Sequence, residues 1–130
     1  MDARQLYGGA QDVPLAIAAY NLNVAQILER IPVVAGVAYA ERVRRLPATF
    51  IATLAVEPEN RYFLQAIAVL VNSEKVGYVA PEVAAGYHDM VGASTTPVTC
   101  PGRRAGRADH QTSGVELLLD FSALPSQPGA

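Results

Sequence analysis

The chain has 130 residues, of which 51% are hydrophobic and 17% charged, and its formal net charge is −2. This length allows one domain with a single core, and this composition excludes a disordered chain. A charge close to zero also excludes binding of nucleic acid through a global basic excess, so any such role has to rest on local charge.

The N-terminal part of the sequence predicts a leader and a helix. Residues 1–12 are polar and contain glycine, which indicates a loose leader. Residues 13–30 predict an N-terminal helix, because Asp12 is a suitable N-cap and Pro14 lies in the first turn. The apolar residues of this segment recur at helical spacing. They are Ile17, Tyr20, Val24, Ile27 and Leu28.

The next part of the chain predicts three strands. The β-branched residues that follow Pro32 favour a strand over about 33–40, and the arginine-rich residues 41–47 indicate an exposed connection. Residues 48–56 predict a second strand, which ends at a proline-containing turn. The continuous apolar run at 66–71 predicts a third strand that is covered on both sides.

The second half of the sequence predicts three more strands and one helix. Residues 72–79 form a turn and a returning strand, and Pro81 opens the helix because its fixed φ suits the first helical turn. Residues 95–100 predict an edge strand, since a proline interrupts them. The arginine- and glycine-rich residues 101–113 predict a mobile loop, and residues 115–121 predict the last strand.

Together these elements predict a mostly β fold with two helices. The expected architecture is a small OB-like barrel of six strands, partly open, because a curled sheet removes strand edges with few residues. This barrel domain spans 31–121. The tail 122–130 is rich in proline, serine and glycine, and is predicted to be disordered.

Catalytic and metal-binding motifs are missing from the sequence. The chain has one cysteine, Cys100, and two histidines, His88 and His110, without the spacing of a zinc, serine-hydrolase or phosphate-loop motif. Cys100 and His110 alone leave a metal site short of ligands, and Cys100 is more simply a small apolar residue on a strand. We therefore predict a protein that is not an enzyme and that uses no metal or cofactor.

The same residue counts indicate a cellular compartment. A single cysteine excludes an internal disulfide and fits a reducing environment. The apolar stretch at 13–20 contains Pro14 and lacks a basic leader, so it predicts neither a signal peptide nor a transmembrane helix. We expect a soluble cytoplasmic protein that does not contact the membrane.

Local charge is more informative than net charge. Residues 42–107 carry eight basic and five acidic residues. If the arginines of two predicted loops share one concave face with tyrosines, they form the cationic groove with aromatic platforms that single-stranded nucleic acid requires. The alternative, which charge alone favours, is that they are ordinary solvated loop charges. The two arginine clusters are Arg42, Arg44 and Arg45, and Arg103, Arg104 and Arg107.

Several spacings within 33–81 occur together in a known family. They are Val34-x-Gly36-x-x-Tyr39, Glu57-Pro58-x-Asn60-x-Tyr62, Ala66-Ile67-x-Val69 and Val76-Gly77-Tyr78-Val79, followed by a helix that begins with proline. In this pattern the chain resembles the HIRAN domain, over about 33–121 with a specific core at 57–79. The resemblance implies a small OB-like barrel, which occurs attached to DNA-remodelling and repair helicases and also alone in bacteria. It also implies a grip on the 3′ end of single-stranded DNA, as in characterised eukaryotic members.

The resemblance also implies where the ligand binds. Tyr39 matches an aromatic residue that lines the family pocket, and Tyr78 matches a motif position near it or is a half-buried barrel residue. Asn60 either contacts the ligand or braces its turn, and Tyr62 either stacks a terminal base or caps the core. The candidate nucleic-acid-binding residues are Tyr39, Arg42, Arg44, Arg45, Asn60, Arg61, Tyr62, Phe63 and Tyr78.

Two positions depart from the family pattern. The family loop carries an aspartate that accepts a hydrogen bond from a terminal hydroxyl, and Phe63 stands in its place. The arginine that precedes the pocket aromatic is replaced by Ala38. Loss of both contacts weakens end recognition by several kcal/mol, if each charged hydrogen bond contributes about 1.5–3 kcal/mol. Arg61 or the Arg42 cluster then supplies the phosphate contact, and Phe63 adds a stacking face.

The sequence therefore predicts a module that grips single-stranded DNA or DNA ends in DNA repair or processing. The alternative on the same fold is a protein-interaction or regulatory module, in which the N-terminal helix docks a protein partner or forms a homodimer. The acidic pI and the missing aspartate favour this alternative. The tyrosines and arginines around the loop favour the first.

Overall fold

The described residues form a closed β-barrel. The structure, a computed structural model, describes residues 27–107 and 115–125. Within these ranges the strands are β1 (Ile31–Val34), β2 (Thr49–Val56), β3 (Ile67–Val71), β4 (Glu74–Val79), β5 (Val98–Arg107) and β6 (Val115–Leu119). They pair antiparallel in the order β1-β4-β3-β2-β5-β6, and β6 returns to β1. The prediction of a mostly β, small, six-stranded barrel is confirmed, but the barrel is closed and not partly open, because β6 pairs with β1.

Two α-helices pack against the barrel in the described part of the chain. Helix α1 (Ala40–Arg44) follows a 3₁₀ turn at Val37–Tyr39 and packs against β4 and β6. Helix α2 (Pro81–Ala93) has its proline in the first turn, as predicted, and packs against β2 and β4. Val43 of α1 and Ala84 of α2 are buried in the core. Neither helix has the length and apolar character needed to cross a membrane, nor does any other helix within the described ranges.

Alternate residues of the strands fill the barrel interior. In β2, Phe50, Ala52 and Leu54 are buried, whereas Ile51 between them is 62% exposed, as in other sheets with one packed and one solvated face. Gly102 of β5 lies opposite Phe50, and a Cβ at this glycine would come within 2.3 Å of the Phe50 ring. Glycine at this position therefore makes room for an aromatic ring inside the barrel.

An irregularity in β4 places two polar side chains on the same outer face. The ladder between β3 and β4 shifts register at Leu70, which leaves Val76 as an extra residue in β4. Such a bulge shifts the alternation of the strand by one position. Lys75 and Tyr78, three positions apart, are therefore both partly exposed, on either side of the buried Val76 and Gly77. Gly77 follows the extra residue with a φ of 155°, a conformation that favours glycine.

The predicted strand over 33–40 is wrong beyond Val34. After Gly36 the chain forms the 3₁₀ turn and α1, so Tyr39 lies in a helical turn and not on a strand. Helix α1 also replaces part of the exposed connection predicted for 41–47. Its sequence contains alanine, glutamate and two arginines, which favour helix, and an i,i+3 ion pair joins its two turns.

The mobile loop predicted for 101–113 is wrong over 101–107, which belongs to β5. This strand pairs with β2 on one side and β6 on the other, so its backbone groups are hydrogen-bonded although few of its side chains are apolar. The strand predicted for 95–100 begins at Val98 and lies between β2 and β6, so it is not an edge strand. Composition misled both predictions, because a strand of a barrel needs apolar residues on only one face.

Some predicted segments lie outside the described residues. They are the leader 1–12, most of the helix 13–30 and the end of the tail 122–130. Residues 27–28, at the end of the predicted helix, are helical, and residues 122–125, at the start of the predicted tail, form a turn. The domain boundaries predicted from the sequence therefore stay predictions.

Candidate functional site

Three aromatic side chains meet on the outer face of β4. The ring centroid of Tyr78 lies 6.5 Å from that of Tyr39 and 5.5 Å from that of Phe63, distances typical of interacting rings. Strand β4 lies between β1 and β3. Because Tyr39 follows β1 and Phe63 precedes β3, the two rings reach Tyr78 from its two neighbouring strands. We refer to Tyr39, Phe63 and Tyr78 as the aromatic cluster.

A carboxylate holds the polar end of this cluster. Glu57 Oε1 accepts hydrogen bonds from the Tyr78 hydroxyl at 2.8 Å and from Asn60 Nδ2 at 3.1 Å, and Glu57 Oε2 accepts one from Lys75 Nζ. Lys75 Nζ also donates to the Tyr78 hydroxyl at 3.0 Å and lies 5.0 Å from the centroid of its ring. We refer to Glu57, Asn60, Lys75 and Tyr78 as the Glu57 network. It links the end of β2 to the bulged part of β4.

The Glu57 network shifts the protonation of its members. Partial burial alone would raise the pKa of Glu57, but hydrogen bonds from Lys75, Tyr78 and Asn60 and the Lys75 charge lower it below its ordinary value. The hydrogen bond to Glu57 raises the pKa of Lys75 above its ordinary value. Burial raises the pKa of Tyr78, against the effect of Lys75. At neutral pH the site therefore contains a carboxylate, an ammonium and a neutral phenol, and the first two charges compensate each other.

Asn60 braces the loop that presents the exposed aromatic ring. Its Oδ1 accepts hydrogen bonds from the backbone N–H groups of Tyr62 and Phe63, both at 2.8 Å, while its Nδ2 donates to Glu57. This pattern is an Asx-type turn anchored on a carboxylate. The Tyr62 side chain is 88% exposed. A ring this exposed does not cap the core, so one of the two roles considered for Tyr62 is excluded.

Two arginines lie beside the aromatic cluster. Arg42 Nη1 donates to the backbone carbonyl of Lys75 at 2.8 Å, which fixes the guanidinium next to the Glu57 network. Arg61 precedes Tyr62 on the braced loop and is exposed. The guanidinium of Arg42 is thus held in place, whereas Arg61 is exposed on the surface of the loop.

Three further arginines meet at the C-terminal end of α1. Arg104 Nη1 donates to the carbonyls of Leu46 and Arg44, at 2.9 and 3.4 Å. Arg44 also lies 3.8 Å from Glu41, and Arg45 Nε donates to the Glu41 carbonyl at 3.4 Å. Arg104 therefore satisfies carbonyls that the helix end leaves unpaired. These arginines therefore stabilise the C-terminal end of α1.

Arg103 lies on another side of the barrel. In the ring of strands β5 is three positions from β4, which is the opposite side. Arg103 lines a groove of about 850 Å³ there, together with residues that include Thr49, Ile51, Pro101 and Leu118. The two arginine clusters therefore do not share one face, and their described members do not form the joint cationic groove considered from the sequence. Arg104 joins the first cluster, Arg103 does not, and the side chain of Arg107 is outside the described residues.

Of the three residues considered for metal binding or nucleophilic chemistry, the structure describes Cys100, which is buried, and His88, which lies on α2. Burial, with a smaller effect of Asp120, raises the pKa of Cys100 to about 12, so its thiol stays protonated. His88 Nδ1 lies 3.2 Å from Asp89 at the surface of α2, and His110 is outside the described residues. Within the described ranges no group of three or more His, Cys, Asp or Glu side chains is placed to hold a metal ion.

Two members of the Glu57 network are missing from the candidate residues predicted from sequence. Glu57 is interpreted there only as part of a turn and of the family motif, and Lys75 only as one of the basic residues of 42–107. The residue in the sequence that could have identified them is Gly77, because a glycine inside a strand indicates a bulge. Lys75 and Tyr78 flank that bulge, so a reader of the sequence can place both on one face.

Comparisons of the chain with protein-family models, curated proteins and solved structures find no match.

Proposed function

We propose that this chain is a non-enzymatic module that binds single-stranded nucleic acid at the aromatic cluster and the loop 57–66. The observation that supports this most is the meeting of three rings on β4, next to a braced loop that carries Arg61 and the exposed Tyr62. Aromatic faces stack unpaired bases and guanidinium groups neutralise phosphates. The site combines both chemistries and needs no catalytic group.

The resemblance to HIRAN domains supports the same proposal. Glu57, Asn60 and Tyr78, which carry much of the resemblance, contact each other in the Glu57 network. Gly77, another motif residue, lies at the bulge that turns Tyr78 outward. The motif residues thus act together to build one surface. We therefore propose that the chain is a HIRAN domain and that its ligand arises in DNA repair or processing.

The charges around the aromatic cluster indicate which side chains would contact phosphate. Lys75 is compensated by Glu57, so its ammonium adds little to the attraction of a phosphate. Arg42 and Arg61 then contribute the main phosphate contacts of this surface. If two phosphates are neutralised, the logarithm of the binding constant falls with the logarithm of the salt concentration with a slope of about −1.4, since each contact on a single strand contributes about −0.7. Stacking of each base adds about 1–3 kcal/mol.

Fluorescence anisotropy with a labelled fifteen-residue oligothymidine at low salt tests the proposal. We expect salt-sensitive binding that Arg61→Ala and Tyr62→Ala both weaken, each by about fivefold or more. The matched controls are Arg103→Ala and Ile51→Ala, which remove an arginine and an exposed apolar residue of the groove at β2 and β5. Both controls should bind as the unmodified protein does. No binding, or an equal loss in the control variants, would refute this site.

A protein-interaction module is the second candidate. Val37 and Leu64, which lie on the segments that supply Tyr39 and Phe63, are 80% and 92% exposed. Large apolar side chains that group on a surface mark contact sites. Sedimentation velocity over a hundredfold range of protein concentration tests whether the chain forms a homodimer, which is one form of this second function. A dimer that Leu64→Ser dissociates, together with no binding of oligonucleotides, would favour the second candidate.

A further inference from the structure

The strong hydrogen-bond acceptors beside the aromatic cluster are already in use. Glu57 Oε1 has two donors, the Tyr78 hydroxyl and Asn60 Nδ2, and Oε2 faces the Lys75 ammonium. Asn60 Oδ1 accepts two backbone N–H groups. A ligand hydroxyl that approaches Glu57 has to compete with an ion pair, and one that approaches Asn60 has to break the turn that holds the loop. Neither side chain is poised to recognise a hydroxyl.

The loop tip supplies no replacement acceptor. Residues 61–64 are arginine, tyrosine, phenylalanine and leucine, of which none carries a carboxylate or amide. Phe63 directs its ring to Tyr78, at 5.5 Å between centroids, so this position belongs to the stacking surface. The loop therefore offers a base a flat apolar face and offers a phosphate a cation. At this tip the 3′-hydroxyl of a strand finds no carboxylate or amide partner, and the nearest such side chains of the loop, Glu59 and Gln65, are exposed on either side of the tip.

The large apolar side chains next to the residues of the aromatic cluster are exposed to solvent. Tyr62 and Leu64 on one segment, and Val37 on the other, are the most exposed large apolar residues in the described part of the chain. Because these exposed side chains lie on both segments, we expect a strand to pass the rings on either side. We propose that this site reads stacked bases and phosphate without reading a strand terminus, so that internal single-stranded segments bind as tightly as ends. This inference rests on the proposed function and narrows its ligand.

Competition binding with three unlabelled probes of thirty thymidines tests the inference. The probes are a covalently closed circle, a linear strand with a 3′-hydroxyl and a linear strand with a 3′-phosphate. We expect the three dissociation constants to agree within threefold. A circle or a 3′-phosphate strand that binds more than threefold more weakly than the 3′-hydroxyl strand would overturn the inference and leave the proposed function intact. Absence of binding to all three would overturn both.

Substitution at position 63 tests the physical reason. Phe63→Asp adds a carboxylate that can accept a hydroxyl and that repels a terminal phosphate, so it should create at least a threefold preference for the 3′-hydroxyl strand. Phe63→Leu is the matched control, because it removes the ring without adding an acceptor. It should weaken binding of all three probes equally. A preference in Phe63→Leu, or none in folded Phe63→Asp, would overturn the assignment of position 63 as the missing acceptor.

Discussion

Replacement of Asn60 tests how the Glu57 network orders the loop 57–66. Asn60→Ala removes two hydrogen bonds to backbone N–H groups at 2.8 Å and one donor to Glu57 at 3.1 Å. The backbone conformation of the turn is compatible with other residues, but nothing else in the described part of the loop accepts from the N–H groups of Tyr62 and Phe63. We therefore expect the variant to fold with a less stable and less ordered loop.

The magnitude follows from these three bonds. A hydrogen bond contributes about 0.5–1.5 kcal/mol net, and water can replace part of that at the exposed Tyr62 N–H. The expected loss in the free energy of unfolding is therefore about 1–3 kcal/mol. With an m-value of about 1–3 kcal/mol/M, urea midpoints should fall by roughly 1 M. Binding of oligothymidine should weaken as well, because Tyr62 is no longer held in place.

Urea unfolding followed by circular dichroism measures this loss. Asn60→Asp is an informative control, since it keeps an oxygen for the two backbone donors but places a second carboxylate beside Glu57. It should be destabilised at pH 7 and recover when Glu57→Gln is introduced with it. If Asn60→Ala lowers stability by less than 0.3 kcal/mol, or if the double variant shows no recovery, the network does not order the loop.

Three other predictions follow from single residues. Gly77→Ala should lose more than about 2 kcal/mol in urea unfolding, because its Cβ would lie 2.6 Å from the Val34 carbonyl at a φ of 155°. Gly86→Ala in α2, with no atom within 4 Å of its Cβ, should instead gain about 0.4–1 kcal/mol; equal effects would contradict the packing described for Gly77. The lowered pKa of Glu57 means that its stabilisation is present above the ordinary value of 4.5 and is lost as pH falls through the folded-state value. Unfolding free energies measured between pH 7 and 3 should therefore drop more in the unmodified protein than in Glu57→Gln, and parallel curves would count against the ion pair. Alkylation of Cys100 by iodoacetamide at pH 8 should be far slower in the folded protein than in urea, because burial raises the pKa of the thiol to about 12; similar rates would show that the residue is accessible.

Much of the fold can be predicted from local patterns. In β2 the alternation of Phe50 and Leu54 with exposed residues marks a half-buried strand, and Pro81 marks the start of α2. Strand β5 cannot be predicted in this way, because its C-terminal half is stabilised by pairing with β2 and β6 rather than by its own composition. Helix α1 is missed for a related reason. Its five residues are too few to show a period, and Val43 is held by the core.

The candidate site likewise has a part that local sequence patterns predict and a part that depends on long-range contacts. The loop residues Asn60 and Tyr62 can be named from sequence, because the spacing of a turn and a family resemblance both point to them. The arrangement that gives them their roles is long-range. Glu57 meets Lys75 across 18 residues, and Arg42 reaches the carbonyl of Lys75 across 33. Such contacts depend on strand register, and here the register is changed by a single extra residue in β4.

Nuclear magnetic resonance titration of the protein with a six-residue oligothymidine tests the central claim most directly. The claim is that the aromatic cluster and the braced loop bind single-stranded nucleic acid. We expect backbone amide shifts that change along 37–42, 57–65 and 74–78 and remain constant around Arg103 and Leu118. Shifts confined to the groove on the opposite side, or no shifts at millimolar oligonucleotide, would contradict the claim.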